Sequence, residues 1–314
     1  MTSTVSIIIC TYNRADSLQI TLEGISRMIV PRNIDLEVLV VDNNSTDRTK
    51  EVIEKFNKDG FGYIGYIFER NQGLSFARNA GLDRAKGEII IFTDDDVIVE
   101  PDWLIETVRT FYEYDADCVG GKILPVWPGE KPTWLSETIE NILALLDYGD
   151  NVRELKAEDP PLFGANVAFT RQMLRKTGYF NTTLGRKGDK LYCSEDTDMY
   201  ERLIKLNGKI IYQPKSVVHH VISINRLKKR YFRKWHFDGG VGQGNSLGRY
   251  EKRNILGIPY YIINEFLRHS FKYIISIATI KDDVIFSQEV KVLYYLGIIY
   301  SRIRFYFSNM LNSA

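Results

Sequence analysis

Over the first hundred residues, short apolar runs rich in β-branched side chains alternate with longer stretches whose apolar positions recur at helical spacing. The short runs predict strands at residues 5–11, 35–41, 61–69 and 88–93, and the longer stretches predict helices at 15–28, 46–58 and 74–85. Strictly alternating β and α segments imply an α/β domain with a doubly wound, mostly parallel central sheet. Such sheets bind ligands outside the carboxyl ends of their strands. The loops at those ends are Tyr12-Asn13-Arg14, Asp42-Asn43-Asn44-Ser45, Arg70-Asn71-Gln72-Gly73 and Asp94-Asp95-Asp96. All four are polar, and parallel strands bring them to one edge.

From about Trp103 the pattern loosens. It predicts a helix, a strand at 117–124, a Pro-rich turn at 125–132, a helix at 135–146 and a strand at 163–170. Beyond these come a mobile loop at 178–192, a helix at 194–206 with Ser194 as N-cap, and a pair of strands at 209–212 and 217–222. After Ile224 the chain turns helical. A basic run holding Arg226, Lys228, Lys229, Arg230, Arg233 and Lys234 precedes aromatic amphipathic segments at 255–279 and 284–310. Asn264, Glu265, Arg268, Lys291 and Arg302 interrupt those segments, which suits them to lying on a bilayer better than to crossing one. A helical homodimer interface is the rival reading. The basic run is either a solvated helix face, an attraction for anionic head groups, or a clamp for a diphosphate.

Composition narrows the classes. Lys and Arg total 41 against 40 Asp and Glu, so no global field draws the protein to nucleic acid. The three cysteines are far apart and lack C-x-x-C spacing, which points to a reducing compartment rather than a zinc or redox site. The first residues carry no basic leader or cleavage site, and no run reaches the roughly 18 apolar residues of a spanning helix. A cytoplasmic protein, free or peripheral at the inner face of the membrane, is expected.

The sharpest chemical feature is Asp94-Asp95-Asp96 at the end of an apolar strand. If extended geometry persists, Asp94 and Asp96 face one side and Asp95 the other. Oxygen ligands suit Mg²⁺ or Mn²⁺, with phosphate oxygens completing the shell. A solvated acidic loop is the bland alternative. Asp42 also closes a strand; it serves either as an acceptor for a nucleobase or as a turn former. Glu195 and Asp196 open a predicted helix, where acids are commonly dipole partners. His219-His220 follows a strand-like run whose alternation lets one imidazole share a side with Val218, and imidazole favours Mn²⁺ over Mg²⁺.

Four stretches in order resemble the family-2 glycosyltransferases: Thr11-Tyr12-Asn13-Arg14, residues 40–47 around Asp42, residues 71–81 from Asn71 through Arg78, and Thr93-Asp94-Asp95-Asp96. The resemblance covers about residues 4–224. It implies a GT-A fold in 1–224, with a nucleotide-binding half at about 1–100 and an acceptor half at about 101–224, followed by a helical extension at 225–314. It places Thr11, Tyr12, Arg14 and Asp42 at the base, Asn71 and Arg78 along the nucleotide, Asp94 with Asp95 near the ribose, and Asp96 on the metal, with His219 or His220 nearby. Asn166 would sit beside the donor sugar. Asp196 would be the base of an inverting transfer, with Glu195 orienting it or binding acceptor. Beyond the stretch that the resemblance covers, Trp235 and the glycines of 239–244 are read as part of an acceptor-side lid. The implied activity is transfer from a nucleotide-sugar, a UDP-sugar first, to a saccharide or glycolipid hydroxyl in polysaccharide or glycolipid assembly. A sugar nucleotidyltransferase and a non-catalytic nucleotide-sugar-binding protein are the alternatives. Donor sugar and linkage lie in pocket contacts outside the motifs.

Overall fold

The computed structural model describes residues 3–58, 64–188, 190–191, 193–247, 254–278 and 281–312, except for the side chains of 309–312. Residues 61–63 of the expected third strand, Asp189 and Tyr192 of the expected loop, Thr279 and the Met310 side chain lie outside what is described.

The first four strands are β1 (Ser3–Thr11), β2 (Ile34–Asp42), β3 (Ile64–Phe68) and β4 (Ile89–Asp94), separated by α1 (Ala15–Ser26), α2 (Thr49–Lys58) and α3 (Leu74–Arg84). Residues 5–9 of β1 and 89–93 of β4 are buried whichever face they point to, as parallel strands covered on both sides require. There follow β5 (Val97–Val99), α4 (Trp103–Tyr114), β6 (Cys118–Val126), α5 (Glu137–Glu140), β7 (Arg153–Leu155), β8 (Val167–Thr170), α6 (Arg171–Thr177), α7 (Glu195–Lys205) and β9 (Ile210–Val221). The sheet runs β3-β2-β1-β4-β8-β6-β9-β5, with β7 paired to β9. Strands β1 to β4 are mutually parallel, β8 is antiparallel to β4 and β6, and β6 is parallel to β9. The chain winds outward from β1 to β3 and returns to β4 on the other side of β1. That reversal is the switch point where such sheets bind ligands. Register sets Cys10 beside Asp94 and Thr11 beside Asp42 there.

Several expectations are corrected. Helix α2 begins at Thr49 rather than 46, because Asp47 accepts from the Thr49 amide and hydroxyl and from the Ala15 amide, so the preceding residues stay in the loop. The helix expected at 135–146 is only α5 plus a 3₁₀ turn (Asn141–Leu143), and Leu146 pairs as an isolated bridge with Ile123. The strand expected from residue 163 opens instead with a 3₁₀ turn, Gly164–Asn166. Helix α6, capped by the Thr170 hydroxyl, was not anticipated. The two strands expected at 209–222 are one, β9, whose register against β6 slips between Gly121 and Lys122. Ser194 stands at the N-cap position as expected, its carbonyl accepting from the Asp198 amide, but with a left-handed backbone (φ 85°) and no side-chain cap bond. The described part of the loop at 178–192 is tied rather than mobile. Asn79 exchanges hydrogen bonds with both the amide and the carbonyl of Phe180, the Ser75 hydroxyl donates to the Leu184 carbonyl, and the Leu74 amide donates to the Arg186 carbonyl.

The chain forms two compact units. The first comprises residues 1–126, 144–188 and 194–222; the second comprises 127–143, 189–193 and 223–314, so the second begins earlier in the sequence than the expected boundary at 224. It holds α8 (Lys229–Ser246), a hairpin of β10 (Asn254–Ile255) and β11 (Ile258–Pro259), α9 (Tyr260–Ile277) and α10 (Asp282–Asn312). Trp134 packs edge-on against Phe232 and Phe286 at 5.1 and 4.9 Å. The glycines expected in a lid lie inside α8. A Cβ at Gly240 would stand 2.0 Å from the Tyr294 carbonyl oxygen, so their use is close packing of α8 on α10. The basic run is drawn onto its own unit: Lys229 pairs with Asp282 and Arg233 with Glu289, each at 2.5 Å, Lys234 pairs with Asp238, and Arg226 is buried. Lys228 and Arg230 stay exposed. Among the described residues no helix is long and apolar enough to cross a membrane.

Candidate active site

The strand-end loops are laced together by side chains. Asn13, in a left-handed backbone, accepts from the Thr46 amide, and its own amide donates to the Ser45 hydroxyl. Asn43 donates to the Glu69 and Asn71 carbonyls and accepts from the Gly73 amide, fixing the loop that enters α3. Asp42 is buried, its Oδ1 accepting from the Ser45 amide at 2.8 Å and its Oδ2 from the Tyr66 hydroxyl at 2.9 Å. The turn-forming use of Asp42 is thus real, and each oxygen keeps a further lone pair. Tyr12 and Asn71 are exposed at this edge. Asn43 and Tyr66 were missed by sequence reading. Asn43 had a signal, a second amide-bearing residue at a strand end, whereas Tyr66 reaches Asp42 only through pairing of β3 with β2.

The acidic triplet does not keep its alternation. Strand β4 ends at Asp94 and residues 95–96 form a turn, so Asp95 and Asp96 share one partner instead of facing apart. Arg14 donates to Asp95 at 2.7 Å and to Asp96 at 2.6 Å, and Thr11 donates to the second Asp95 oxygen at 2.7 Å. Burial pushes the Asp95 carboxyl up to about 6, with Arg14 opposing and Asp96 adding to the rise. Asp94 is half-buried. Of the two histidines, the structure turns His220 to this site, with Nε2 3.1 Å from Asp96 Oδ2, while His219 faces the other way and meets Glu100 at 2.6 Å. The cause is register: β5 pairs antiparallel with β9, setting Val97 against His220, and the Val221 amide donates to the Asp96 carbonyl.

A second cluster lies at the start of α7. Arg78 is 3% exposed and donates to Asp196 Oδ1 at 2.7 Å, with Glu195 3.5 Å away. Its guanidinium lies over the Phe92 and Phe180 rings at 5.9 and 5.0 Å from their centroids. The Gly164 amide donates to Asp196 Oδ2 at 3.0 Å, and a Cβ on Gly164 would stand 1.8 Å from Arg78 Nη2. The missing side chain of Gly164 permits a close approach, and what approaches is Arg78. Burial, and after it the Asp196 charge, push the Glu195 carboxyl up to about 7 against the pull of Arg78.

Asn166, expected beside the donor sugar, is buried and bonded within the sheet and α4. Its Oδ1 accepts from the Trp103 indole at 2.8 Å and from Ser216, while its Nδ2 donates to the Lys122 and Ser216 carbonyls. All its hydrogen-bonding capacity is spent on joining α4, β6 and β9. Trp235 lies on α8 in the second unit, half-buried against the His236 ring.

The sequence profile of Glycosyl transferase family 2 matches residues 6–178, more than half of the chain. The chain belongs to that family. Its relatives include the glucosyl-dolichyl phosphate glucuronosyltransferase of Haloferax volcanii, 30% identical over 69% of this chain and 68% of the relative. Another is the GalNAc(5)-diNAcBac-PP-undecaprenol beta-1,3-glucosyltransferase of Campylobacter jejuni, 40% identical over 29% of each chain. Among solved structures, the mannosyltransferase PcManGT of Pyrobaculum calidifontis, in complex with GDP-Man and Mn²⁺, superposes with a TM-score of 0.57 at 19% identity, covering 100% of this chain and 76% of that one. S. aureus TarS with UDP gives 0.54 at 17%, covering 94% and 92%. This family-2 glycosyltransferase therefore has the GT-A fold, and its membership sets aside the nucleotidyltransferase alternative.

Proposed function

We propose that the protein transfers a sugar from a UDP-sugar to a hydroxyl of a lipid-linked or polysaccharide acceptor, inverting the anomeric centre. The observation that carries this reading is the pair of carboxylate clusters in one unit, one at the end of β4 and one at the start of α7. The names of the Haloferax and Campylobacter relatives, each carrying a lipid-linked saccharide, support the acceptor class.

The residues present fit a divalent cation. Asp96 brings carboxylate oxygen and His220 an imidazole nitrogen at 3.1 Å from it, a mixed donor set that suits Mn²⁺. Among the described residues no group of three or more such side chains is assembled for a metal, consistent with a site that diphosphate oxygens and water complete. Asp96 and His220 would hold the ion, and bound there it would supply charge neutralisation of the departing diphosphate. Thr11, Tyr12, Arg14, Asp42, Asn71 and Asp94 hold the nucleotide across the strand ends. Asp196 takes the proton of the acceptor hydroxyl as its oxygen bonds to the anomeric carbon and the bond to the diphosphate breaks. That single displacement inverts the centre, and no covalent glycosyl-enzyme forms.

The test screens nucleotide-sugars for thermal stabilisation with Mn²⁺, then follows the anomeric configuration of the product by NMR. An inverted product is expected; retention would reject Asp196 as the base.

We also propose that α9 rests on a lipid surface. Leu267, Phe271, Ile274, Ile275 and Ile277 are each more than half exposed, with Lys272 exposed among them. Sedimentation with anionic vesicles should fall when Leu267, Phe271 and Ile274 are changed to serine. A lipid-indifferent dimer would make the face a subunit interface instead.

A further inference from the structure

Arg78 sits in a stretch that family resemblance assigns to the nucleotide. The geometry points elsewhere, and we propose that Arg78 is a positioning residue for Asp196 that makes no contact with the nucleotide. This inference rests on the reading of Asp196 as the acceptor base.

The argument begins with accessibility. Arg78 is 3% exposed and its guanidinium lies over two phenyl rings, which leaves little room for a diphosphate. Its Nη1 is already committed, to Asp196 at 2.7 Å and, more distantly, to Glu195 at 3.5 Å. Burying a cation is costly unless partners compensate. Here burial works against the Arg78 charge, and Asp196 followed by Glu195 more than offset it, so its pKa stands above the ordinary value.

The frame around Arg78 is built for that contact. Three α3 side chains, Ser75, Arg78 and Asn79, recur three or four residues apart on one helix face and all reach the segment at 180–196. Asn79 pins Phe180, which covers the guanidinium; Gly164 leaves the space that Nη2 fills and gives its amide to the other Asp196 oxygen. Asp196 is thus gripped at both oxygens, yet its side chain keeps 21% exposure while Arg78 keeps 4%. A carboxylate aimed from a fixed cradle toward an open edge is what proton removal from a docked hydroxyl requires. The other charged or titratable groups facing the cluster are Glu195 on α7, Arg186 in the tied loop, and Asp94 and Cys10 at the strand ends.

The test compares wild type with Arg78→Met, Arg78→Lys and Gly164→Ala. Calorimetry with UDP and MnCl₂ should give dissociation constants within about twofold of wild type for all three, since no nucleotide contact is lost. With the donor found by the screen above, kcat should fall about 100-fold in Arg78→Met while the donor KM holds, the size expected when a reacting group is misplaced by about an ångström. Arg78→Lys restores charge without the rigid fork and should recover only part of that loss. Gly164→Ala, whose new methyl must displace the guanidinium, should reproduce the Met phenotype with the arginine still present.

A tenfold or greater loss of UDP affinity in Arg78→Met would overturn the inference, because the arginine would then touch the nucleotide. Full turnover in Arg78→Met beside an inactive Asp196→Asn would overturn it as well, leaving the base assignment standing. An active Asp196→Asn would sink the base assignment itself.

Discussion

Two clusters in this glycosyltransferase are made of the same parts, one arginine and two adjacent carboxylates, and differ in burial. Arg14 with Asp95 and Asp96 stands at the end of β4, its side chain 30% exposed; Arg78 with Glu195 and Asp196 stands at the start of α7, its side chain 4% exposed. An arginine with an open side can exchange one anionic partner for another as ligands arrive. An enclosed one is fixed by the chain around it. Composition therefore says little about role: under the proposed function the first cluster would respond to a ligand and the second would hold a geometry.

The comparison can be broken in several ways. Asp96→Ala should lose the Mn²⁺ dependence of thermal stability and turnover together, by about 10³-fold or more, since several kcal/mol of charge stabilisation is removed. Asp196→Asn should lower transfer by about 10²–10⁴-fold, the range of a general base, while UDP and Mn²⁺ binding persists in calorimetry. Arg14→Met should tighten Mn²⁺ binding without nucleotide by about tenfold, because one partly screened competing cation is gone. Arg78→Met should leave that constant unchanged, and equal effects of the two would erase the distinction.

The smallest effect is on pH. Glu195 has a folded pKa of about 7, raised above its ordinary 4.5. Between those values the folded state binds more protons than the unfolded one, so the stability this group contributes is complete below 4.5 and is lost as pH rises through about 7. Asp95, raised to about 6 by burial, acts in the same direction over a lower window. Glu195→Gln should therefore melt with a shallower decline between about pH 5 and about pH 8 than wild type, read by calorimetry. An unchanged slope would mean that Glu195 is ordinary in the folded protein.

Much of the first unit was legible because its strands are apolar on both faces and end in polar loops. Strands β1 and β4 differ from expectation only at their ends. The position of the acidic turn at a strand end was legible and its side-chain directions were misread, since period-two alternation stops where β4 stops, at Asp94. Choosing between His219 and His220 needed the register of β9 against β5, which no local pattern carries. Asn166 looked available because a small-residue run hides the four bonds made by its side chain. The place of Arg78 was illegible for the same reason. Its neighbours Gly164, Phe180 and Asp196 are near only after the chain has folded, and position within a motif records none of that.

The pairing of β5 with β9 bears on how the molecule comes into being. Asp96 meets His220 only when a strand roughly 120 residues further along has docked beside Val97–Val99. Contacts so distant in the chain carry the cost of closing the long intervening segment. A chain emerging from the ribosome can thus join its acidic turn to its imidazole only once β9 has been made and has docked.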